Sequence, residues 1–139
     1  MLGSLITAHD RALAPLGLTA HQGSMLLNCA RQEGNTPAEL AALNGLYVST
    51  ITRMVDRLER KGLLTRTRSQ KDKRQVILRI TPKGLAVVHR GIPIAQRVAL
   101  EAWRGVTEQE RNALRSIVDK ILRNLGHNPR KLGRRKPAI

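Results

Sequence analysis

The hydrophobic pattern of this chain departs from a helical period at one place. Val76, Leu78 and Ile80 recur at every second position, which is the repeat of a β-strand. The run from 64 to 68 is a second short segment of this kind, and the basic sequence RSQKDKR, residues 68 to 74, joins the two. The pattern predicts one β-hairpin with a basic tip.

Three capping boxes predict helix starts on both sides of this hairpin. In each box a Thr hydroxyl and a Gln or Glu side chain three residues later can bind free backbone N–H groups of a first helical turn. The boxes are Thr19-x-x-Gln22, Thr36-Pro37-x-Glu39 and Thr107-x-x-Glu110. Together with the apolar spacing they predict helices at about 2–14, 20–32, 37–43, 49–61 and 82–104, and a last helix with an apolar face from Leu114 to Leu125. The predicted fold is mainly α with a small β-hairpin.

Charge and composition narrow the choice of partner. The 139 residues suffice for one domain, and 25 basic against 10 acidic residues give a formal charge of +15, which attracts polyanions. The chain has no Phe, one Trp and one Tyr. Proteins that bind single strands or RNA loops usually stack bases on several aromatic side chains. Double-stranded DNA is therefore the predicted partner.

Other classes of protein find no support in the sequence. There is no run of about 18 strongly apolar residues, so we expect no membrane span. Cys29 is the single cysteine, which excludes an intrachain disulfide framework, and the first residues lack the cationic lead-in of a secretion signal. Both features favour the cytoplasm, and the predicted DNA partner implies association with the nucleoid. The His and Cys spacings match no metal site, and no P-loop, GxSxG or HExxH motif is present, so we expect neither a cofactor nor an enzyme.

Residues 37 to 61 have the spacing of two helices joined by a short turn, a helix-turn-helix. In the second helix an apolar stripe leaves one face to hydroxyl and charged side chains. The stripe is Ile51, Met54, Val55 and Leu58, and the outer face is Ser49, Thr50, Thr52, Arg53, Asp56, Arg57 and Arg60. Arg can form two hydrogen bonds to guanine and Thr can contact a base or a thymine methyl group, so this face suits a DNA major groove. An ordinary amphipathic surface helix would show the same spacing.

Positive charge is concentrated around this second helix. Residues 49 to 83 include 11 basic and 3 acidic side chains, a net charge of +8. A helix-turn-helix followed directly by a basic hairpin is the arrangement of a winged helix. In that arrangement the helix enters the major groove and the hairpin tip contacts the DNA backbone or the minor groove.

The chain resembles the MarR family of bacterial transcription regulators from about Leu18 to Leu125. The segments that carry the resemblance are LTAHQ (18–22), TPAELA (36–41), VSTITRMVDRLERKGLL (48–64), KDKR (71–74), LRITPKG (78–84) and VTEQE (106–110). The resemblance implies one domain, residues 1–127, with a winged helix-turn-helix DNA-binding lobe at about 36–81 and dimerisation helices at 1–17 and 82–125. Residues 128–139 lack apolar periodicity and are rich in basic residues, which predicts a disordered tail that aids solubility or adds phosphate contacts.

The resemblance also gives a role to the acid in the hairpin tip. In the family an Asp-x-Arg pair orients the Arg that enters the minor groove, and here the pair is Asp72 and Arg74. A carboxylate can accept a charge-assisted hydrogen bond from a guanidinium and limit its rotamers, although an incidental surface charge is the alternative. Members often carry Asp-Pro before the pair, where this chain has Ser69-Gln70. The predicted DNA-binding residues are Ser49, Thr50, Thr52, Arg53, Arg57, Lys71, Asp72, Lys73 and Arg74.

Many members of the family are homodimers that respond to a small-molecule effector, and the resemblance implies both properties for this chain. The first and last helices would pair, although the apolar face from Leu114 to Leu125 could also be buried within one chain. A small aromatic or phenolic ligand would bind between the dimer helices and the DNA-binding lobe. The polar residues that could line such a crevice are His9, Arg11, His21 and Asn28, each of which also fits an ordinary surface or core position. Thiol sensing by Cys29 is the weaker interpretation, because its position on the apolar side of the second helix predicts burial.

The predicted function is a sequence-specific regulator that binds double-stranded DNA. We expect a homodimeric repressor of a palindromic operator that a small-molecule effector releases. Sequence-specific binding requires a dimer, because one recognition helix reads only a few base pairs and a two-fold dimer doubles the number of contacts with DNA. The alternative is an architectural or nucleoid protein that coats DNA without reading its sequence, which the charge of +15 also fits.

Overall fold

The computed structural model describes residues 2–126, which form six α-helices and one antiparallel hairpin. In chain order the α-helices and strands are Leu2–Leu13 (α1), Ala20–Ala30 (α2), Pro37–Asn44 (α3), Val48–Arg60 (α4), Leu64–Arg68 (β1), Val76–Ile80 (β2), Pro82–Ala102 (α5) and Glu108–Asn124 (α6). The prediction of a mainly α fold with one hairpin is confirmed, and the predicted element ends are within two residues of the observed ones. The described chain divides into two compact units, one ending at Ala102 and the other beginning at Trp103. The tail at 128–139 lies outside the described residues.

All three predicted capping boxes start helices. At α3, Thr36 Oγ1 accepts a hydrogen bond from Glu39 N at 3.2 Å, and Glu39 Oε2 accepts from Thr36 N at 3.1 Å. A further bond from Asn35 N, 3.0 Å long, is the main cause that lowers the pKa of Glu39. The start of α2 has an additional partner, because Asp10 Oδ1 accepts from Ala20 N at 2.6 Å and so links α1 to α2. The local sequence therefore sets where these helices begin.

The core of the first unit is built from aliphatic side chains. Met25 and Leu26 of α2, Leu40 of α3, and Ile51 and Leu58 of α4 are fully buried. Leu64 and Leu78 extend this cluster into the hairpin, and Val88 extends it into α5. A core without Phe is therefore closed by contacts among α2, α3, α4, α5 and the hairpin.

The hairpin, called the wing below, is held to the helices by its backbone. Its register pairs Leu64 with Ile80 and Arg68 with Val76. Leu78 N donates to Asn35 O, in the loop before α3, at 2.6 Å. Gly84 allows α5 to start against the wing, because a Cβ there would lie 2.1 Å from Leu63 O. The wing is therefore anchored at its base, and the tip is the part that projects.

The helix α6 has a different environment from the helices of the core. It begins with the third capping box, and none of its residues is buried. Its apolar side chains keep much of their surface accessible, with exposed fractions of 43% for Leu114, 57% for Ile117, 43% for Val118, 51% for Ile121 and 67% for Leu125. Among residues 2–126, no helix is both long and apolar enough to cross a membrane.

Candidate nucleic-acid interface

The helix α4 separates its apolar and polar side chains as its spacing predicts. Ile51, Val55 and Leu58 are buried in the core, and Met54 packs partly against it. The predicted DNA-reading residues lie on the exposed face; they are Ser49, Thr50, Thr52, Arg53 and Arg57. The structure therefore gathers these five residues on one accessible surface, which the core holds from behind.

The turn before α4 is tightly held. Gly45 has φ +63°, a left-handed conformation that an L side chain rarely adopts, and its N–H donates to Ala41 O. Leu46 N also donates to Ala41 O, at 3.0 Å, and the Leu46 side chain packs against the core. Because both anchors precede α4 directly, the first turn of α4 is presented in a defined orientation.

The hydroxyl groups on α4 are not equivalent. Thr52 Oγ1 donates to Val48 O at 2.9 Å, so its proton is directed back to the helix. Ser49 and Thr50 are exposed, and their hydroxyl groups make no hydrogen bond to other residues in the described range 2–126. Of the three hydroxyl groups, those of Ser49 and Thr50 are the ones free to donate to an incoming base or phosphate.

The acid of the wing tip organises the backbone. Gln75 N donates to Asp72 O at 2.9 Å, which closes a β-turn over residues 72–75. Within it, Asp72 Oδ1 accepts from the backbone N–H of Arg74 at 3.0 Å. The structure therefore differs from the predicted bond between the Asp72 carboxylate and the Arg74 guanidinium, which is absent from residues 2–126. The physical reason is distance along the chain, because an Asp at the first position of a turn reaches the N–H two residues on.

Ser69 shapes the other half of the tip. Its Oγ accepts from Lys71 N at 3.2 Å and from Asp72 N at 3.3 Å. Its own N–H donates to Gln75 O at 2.9 Å, which continues the ladder of the hairpin. The tip therefore forms a compact turn with Ser69-Gln70 in the place where the resemblance predicts Asp-Pro. Its three cations, Lys71, Lys73 and Arg74, are all exposed.

Arg66 is an important residue that the sequence analysis assigned only to the general positive charge. It lies on β1 opposite Leu78, on the face of the wing that packs against the helices. Its Nη2 is ion-paired with the Asp56 carboxylate of α4, and its Nε lies 3.0 Å from Glu59 Oε2. Arg66 thus fastens the wing to the outer face of α4. The spacing of Asp56 and Glu59, three residues apart on one helix face, is the signal that could have indicated a basic partner.

Two lysines of the basic region also serve the fold. Lys61 Nζ donates to Gly17 O, and Lys83 Nζ donates to Lys61 O at 2.9 Å. Because Arg60, Lys61, Arg66 and Lys83 have internal partners, the count of 11 basic side chains overstates the cations that are free to contact DNA. Within residues 49–83 the exposed cationic groups without an internal partner are Arg53, Arg57, Arg68, Lys71, Lys73, Arg74 and Arg79. They belong to α4 and to the wing, the two elements that a winged helix uses.

The predicted effector residues lie apart from an open cavity in the first unit. A cavity of about 890 Å³ lies between α1 and α5, and its lining residues are Ser4, Leu5, Ala8, Ala12, Ile94, Arg97, Val98, Glu101 and Ala102. His9, Arg11, His21 and Asn28 do not line this cavity. His9 is half-buried, with Nδ1 2.9 Å from Leu5 O, His21 and Asn28 are half-buried in α2, and Arg11 is exposed. The sequence pattern could not place this cavity, because it depends on how α1 packs against α5.

The prediction that Cys29 is buried is confirmed. The side chain keeps 7% of its surface exposed, and burial raises the pKa of its thiol to about 11. A thiol with this pKa is almost entirely protonated near neutral pH and is a poor nucleophile. Across residues 2–126, no cluster of three or more His, Cys, Asp or Glu side chains could hold a metal ion.

Comparisons with known proteins agree with this geometry. The family model for the MarR family matches residues 18–76. The multiple antibiotic resistance protein MarR of Salmonella typhimurium is 32% identical over 111 residues, which cover 79% of this chain and 77% of that protein. A mutant Escherichia coli MarR in complex with operator DNA superposes with a TM-score of 0.79 at 28% identity, over 86% of each chain. CouR from Rhodococcus jostii, bound to p-coumaroyl-CoA, gives a TM-score of 0.75 at 28% identity, over 86% of this chain and 84% of that one. On this sequence identity and coverage, and with a winged helix fold, the chain belongs to the MarR family of transcriptional regulators, which are not enzymes.

Proposed function

We propose that this regulator is a homodimeric repressor that binds a palindromic operator and releases it when a small-molecule effector binds. The observation that carries the proposal is the joint exposure of hydroxyl and Arg side chains on α4 and of three cations on the wing tip. A mutant MarR of Escherichia coli, which shares the fold, is bound to operator DNA in one crystal structure.

The contacts to DNA divide by element. Ser49, Thr50 and Arg53, near the start of α4, would read base edges in the major groove. Arg57, farther along α4, and the wing cations Lys71, Lys73 and Arg74 would contact phosphates or the minor groove. Because Asp72 binds the backbone of the turn, we infer that it positions Arg74 through the main chain.

A second copy of the chain would give the operator its symmetry. Five large apolar side chains on one face of α6 are each 43% or more exposed, and Leu5 and Ile6 of α1 are exposed by 42% and 37%. Large exposed apolar patches mark interaction surfaces, because their burial against a partner removes apolar area from water. Pairing through these helices would set two α4 helices against successive major grooves of one duplex.

The cavity between α1 and α5 is the proposed effector site. Its volume of about 890 Å³ is in the range of small-molecule sites, and its wall is largely apolar, with Arg97 and Glu101 as the charged lining residues. This composition suits a small aromatic or phenolic molecule with a polar group that the Arg97 guanidinium can bind. Since the cavity adjoins helices proposed for dimerisation, occupancy would change the spacing of the two α4 helices, and DNA and effector would disfavour each other.

The experiment that tests this function starts with an operator recovered from a pool of random duplexes by the purified protein. We expect its affinity for this duplex to exceed that for a scrambled duplex at the same salt by roughly 10³-fold or more. Arg53→Ala should reduce the preference by about 1–3 kcal/mol, and Lys73→Ala should weaken both duplexes equally. Equal affinity of the wild type for both duplexes would instead support an architectural protein.

The role of Asp72 has its own pair of variants. Asp72→Ala should weaken DNA binding although it removes a negative charge, because the turn loses its acceptor for Arg74 N. Asp72→Asn keeps an acceptor oxygen at the same place and should retain binding. If Asp72→Asn binds as poorly as Asp72→Ala, the charge of Asp72 matters and the backbone role is wrong.

A further inference from the structure

Tyr47 is an exposed aromatic residue at the start of the DNA-reading helix. It is the only tyrosine of the chain, and 84% of its surface is exposed. It occupies the residue before α4, with an extended backbone (φ −73°, ψ 146°), and its side chain makes no capping hydrogen bond. The predicted DNA-binding residues began at Ser49 and did not include it.

The backbone of Tyr47 is fixed although its side chain is free. Its carbonyl oxygen accepts from Thr50 N at 3.0 Å and from Ile51 N at 3.1 Å. Leu46 on one side and Ile51 on the other pack into the core. The turn therefore holds the phenol in one region of the surface before any partner arrives, which reduces the entropy lost on binding.

The fold gains little from this side chain. An aromatic ring that remains 84% exposed buries little apolar area, and the phenolic O–H has no hydrogen-bond partner within residues 2–126. Replacement of Tyr47 should therefore leave folding stability unchanged. A functional effect of such a replacement would report on a contact with a partner.

The position of Tyr47 points to one part of DNA. In a helix-turn-helix the first helix crosses the DNA backbone, and the N-terminal residues of the second helix contact base edges. Tyr47 lies in the turn between these helices, here α3 and α4. We propose that its phenolic O–H donates a hydrogen bond to a DNA phosphate at the edge of the major groove. This inference rests on the proposed function and adds a contact to it.

A neutral phosphate contact has properties that separate it from those of the cations. Tyr side chains are among the groups that bind phosphate oxygens, and such bonds carry no direct sequence information. Because a phenol releases no counterion, it does not change the dependence of affinity on salt, whereas each Lys or Arg contact does. The contact should thus strengthen binding to any duplex by the same factor.

The test is Tyr47→Phe, which removes the hydroxyl group and keeps the ring. We expect about tenfold weaker binding to the selected operator and to a scrambled duplex. The loss of one hydrogen bond to a charged group lowers an affinity by about this factor. The slope of log affinity against log salt should stay unchanged, and Lys73→Ala is the matched variant that should lower it. Unchanged affinity, or a loss on the operator alone, would overturn the phosphate contact.

A second measurement uses the single tyrosine as a probe. Biosynthetic 3-fluorotyrosine places one fluorine label in the chain, at Tyr47. We expect its resonance to shift when either duplex is added, and a resonance unmoved at saturation would contradict the inference. Failure of the proposed function appears separately, as equal wild-type affinity for operator and scrambled DNA. In that case the loss in Tyr47→Phe on both duplexes still decides the phosphate contact.

Discussion

Two helices of this protein, α4 and α6, have similar apolar spacing but different environments. In α4, Ile51 and Leu58 are fully buried. In α6, Ile117 and Ile121 keep 57% and 51% of their surface exposed. An amphipathic pattern shows that a helix has a face suited to burial, but not which surface will cover it. For α4 that surface is the core of the same chain, and for α6 we propose a second copy.

Leu58→Ala should have the largest effect, because it tests the buried stripe. Truncation of a fully buried Leu leaves a cavity and should lower the free energy of unfolding by about 2–5 kcal/mol. Urea denaturation of the wild type and the variant measures it. The matched change on α6, Ile117→Ala, should cost much less under dilute, monomeric conditions. Equal losses in the two variants would mean that α6 is buried within its own chain and would remove the contrast.

Ile117→Asp should have the next largest effect, on assembly. A charge in the middle of the α6 face should raise the dissociation constant of the dimer by about tenfold or more, because a central apolar contact would be replaced by a desolvated carboxylate. Sedimentation equilibrium measures this constant. Ser116→Asp, on the opposite face of α6, is the control and should assemble like the wild type. If the wild-type protein remains monomeric at high concentration, the proposed pairing through α6 is wrong.

Arg66→Ala tests the outer face of α4. Asp56, Glu59 and Arg66 are all partly accessible, so the loss of their ion pairs should cost only about 0–1 kcal/mol of folding stability. The free energy of DNA binding should change by more than the free energy of unfolding, because the wing loses an ion-pair contact that positions it relative to α4. Arg66→Lys keeps the charge without the two-pronged geometry and should give an intermediate affinity. DNA binding equal to that of the wild type would show that the backbone anchors alone position the wing.

Cys29 of α2 should show the smallest effect, and it probes the core that also buries the apolar face of α4. Its buried thiol should react with a disulfide reagent only when the core opens, whereas a cysteine introduced by Val118→Cys on α6 should react rapidly in the monomer and slowly in the dimer. Because burial raises the pKa of Cys29 to about 11, its contribution to stability is present below its ordinary pKa. That contribution to stability is lost as the pH rises towards 11, where the unfolded chain gains a thiolate.

In the experiment with the disulfide reagent, fast reaction of Cys29 in the native state near neutral pH would show that the core is open.

Some features of the wing could be predicted from the sequence and others could not. The alternation of Val76, Leu78 and Ile80 located the strand, and Leu78 is the residue that became buried. The acid of the tip and its partner residue Arg74 were also singled out, but the bonding group was not, because the carboxylate of Asp72 binds the backbone N–H of Arg74 and not its guanidinium. The choice between these partners depends on the turn conformation of four residues, which a residue pattern does not specify.

The amino-acid sequence alone determined where helices begin, where the period changes and which face of α4 is apolar. These features depend on neighbours within about one turn of chain, since a capping box or a two-residue repeat acts locally. Only the tertiary structure decided that Arg66 pairs with α4, that Asp10 caps α2 and that a cavity forms between α1 and α5. Each joins groups distant in sequence, and their distances depend on the packing of the whole core.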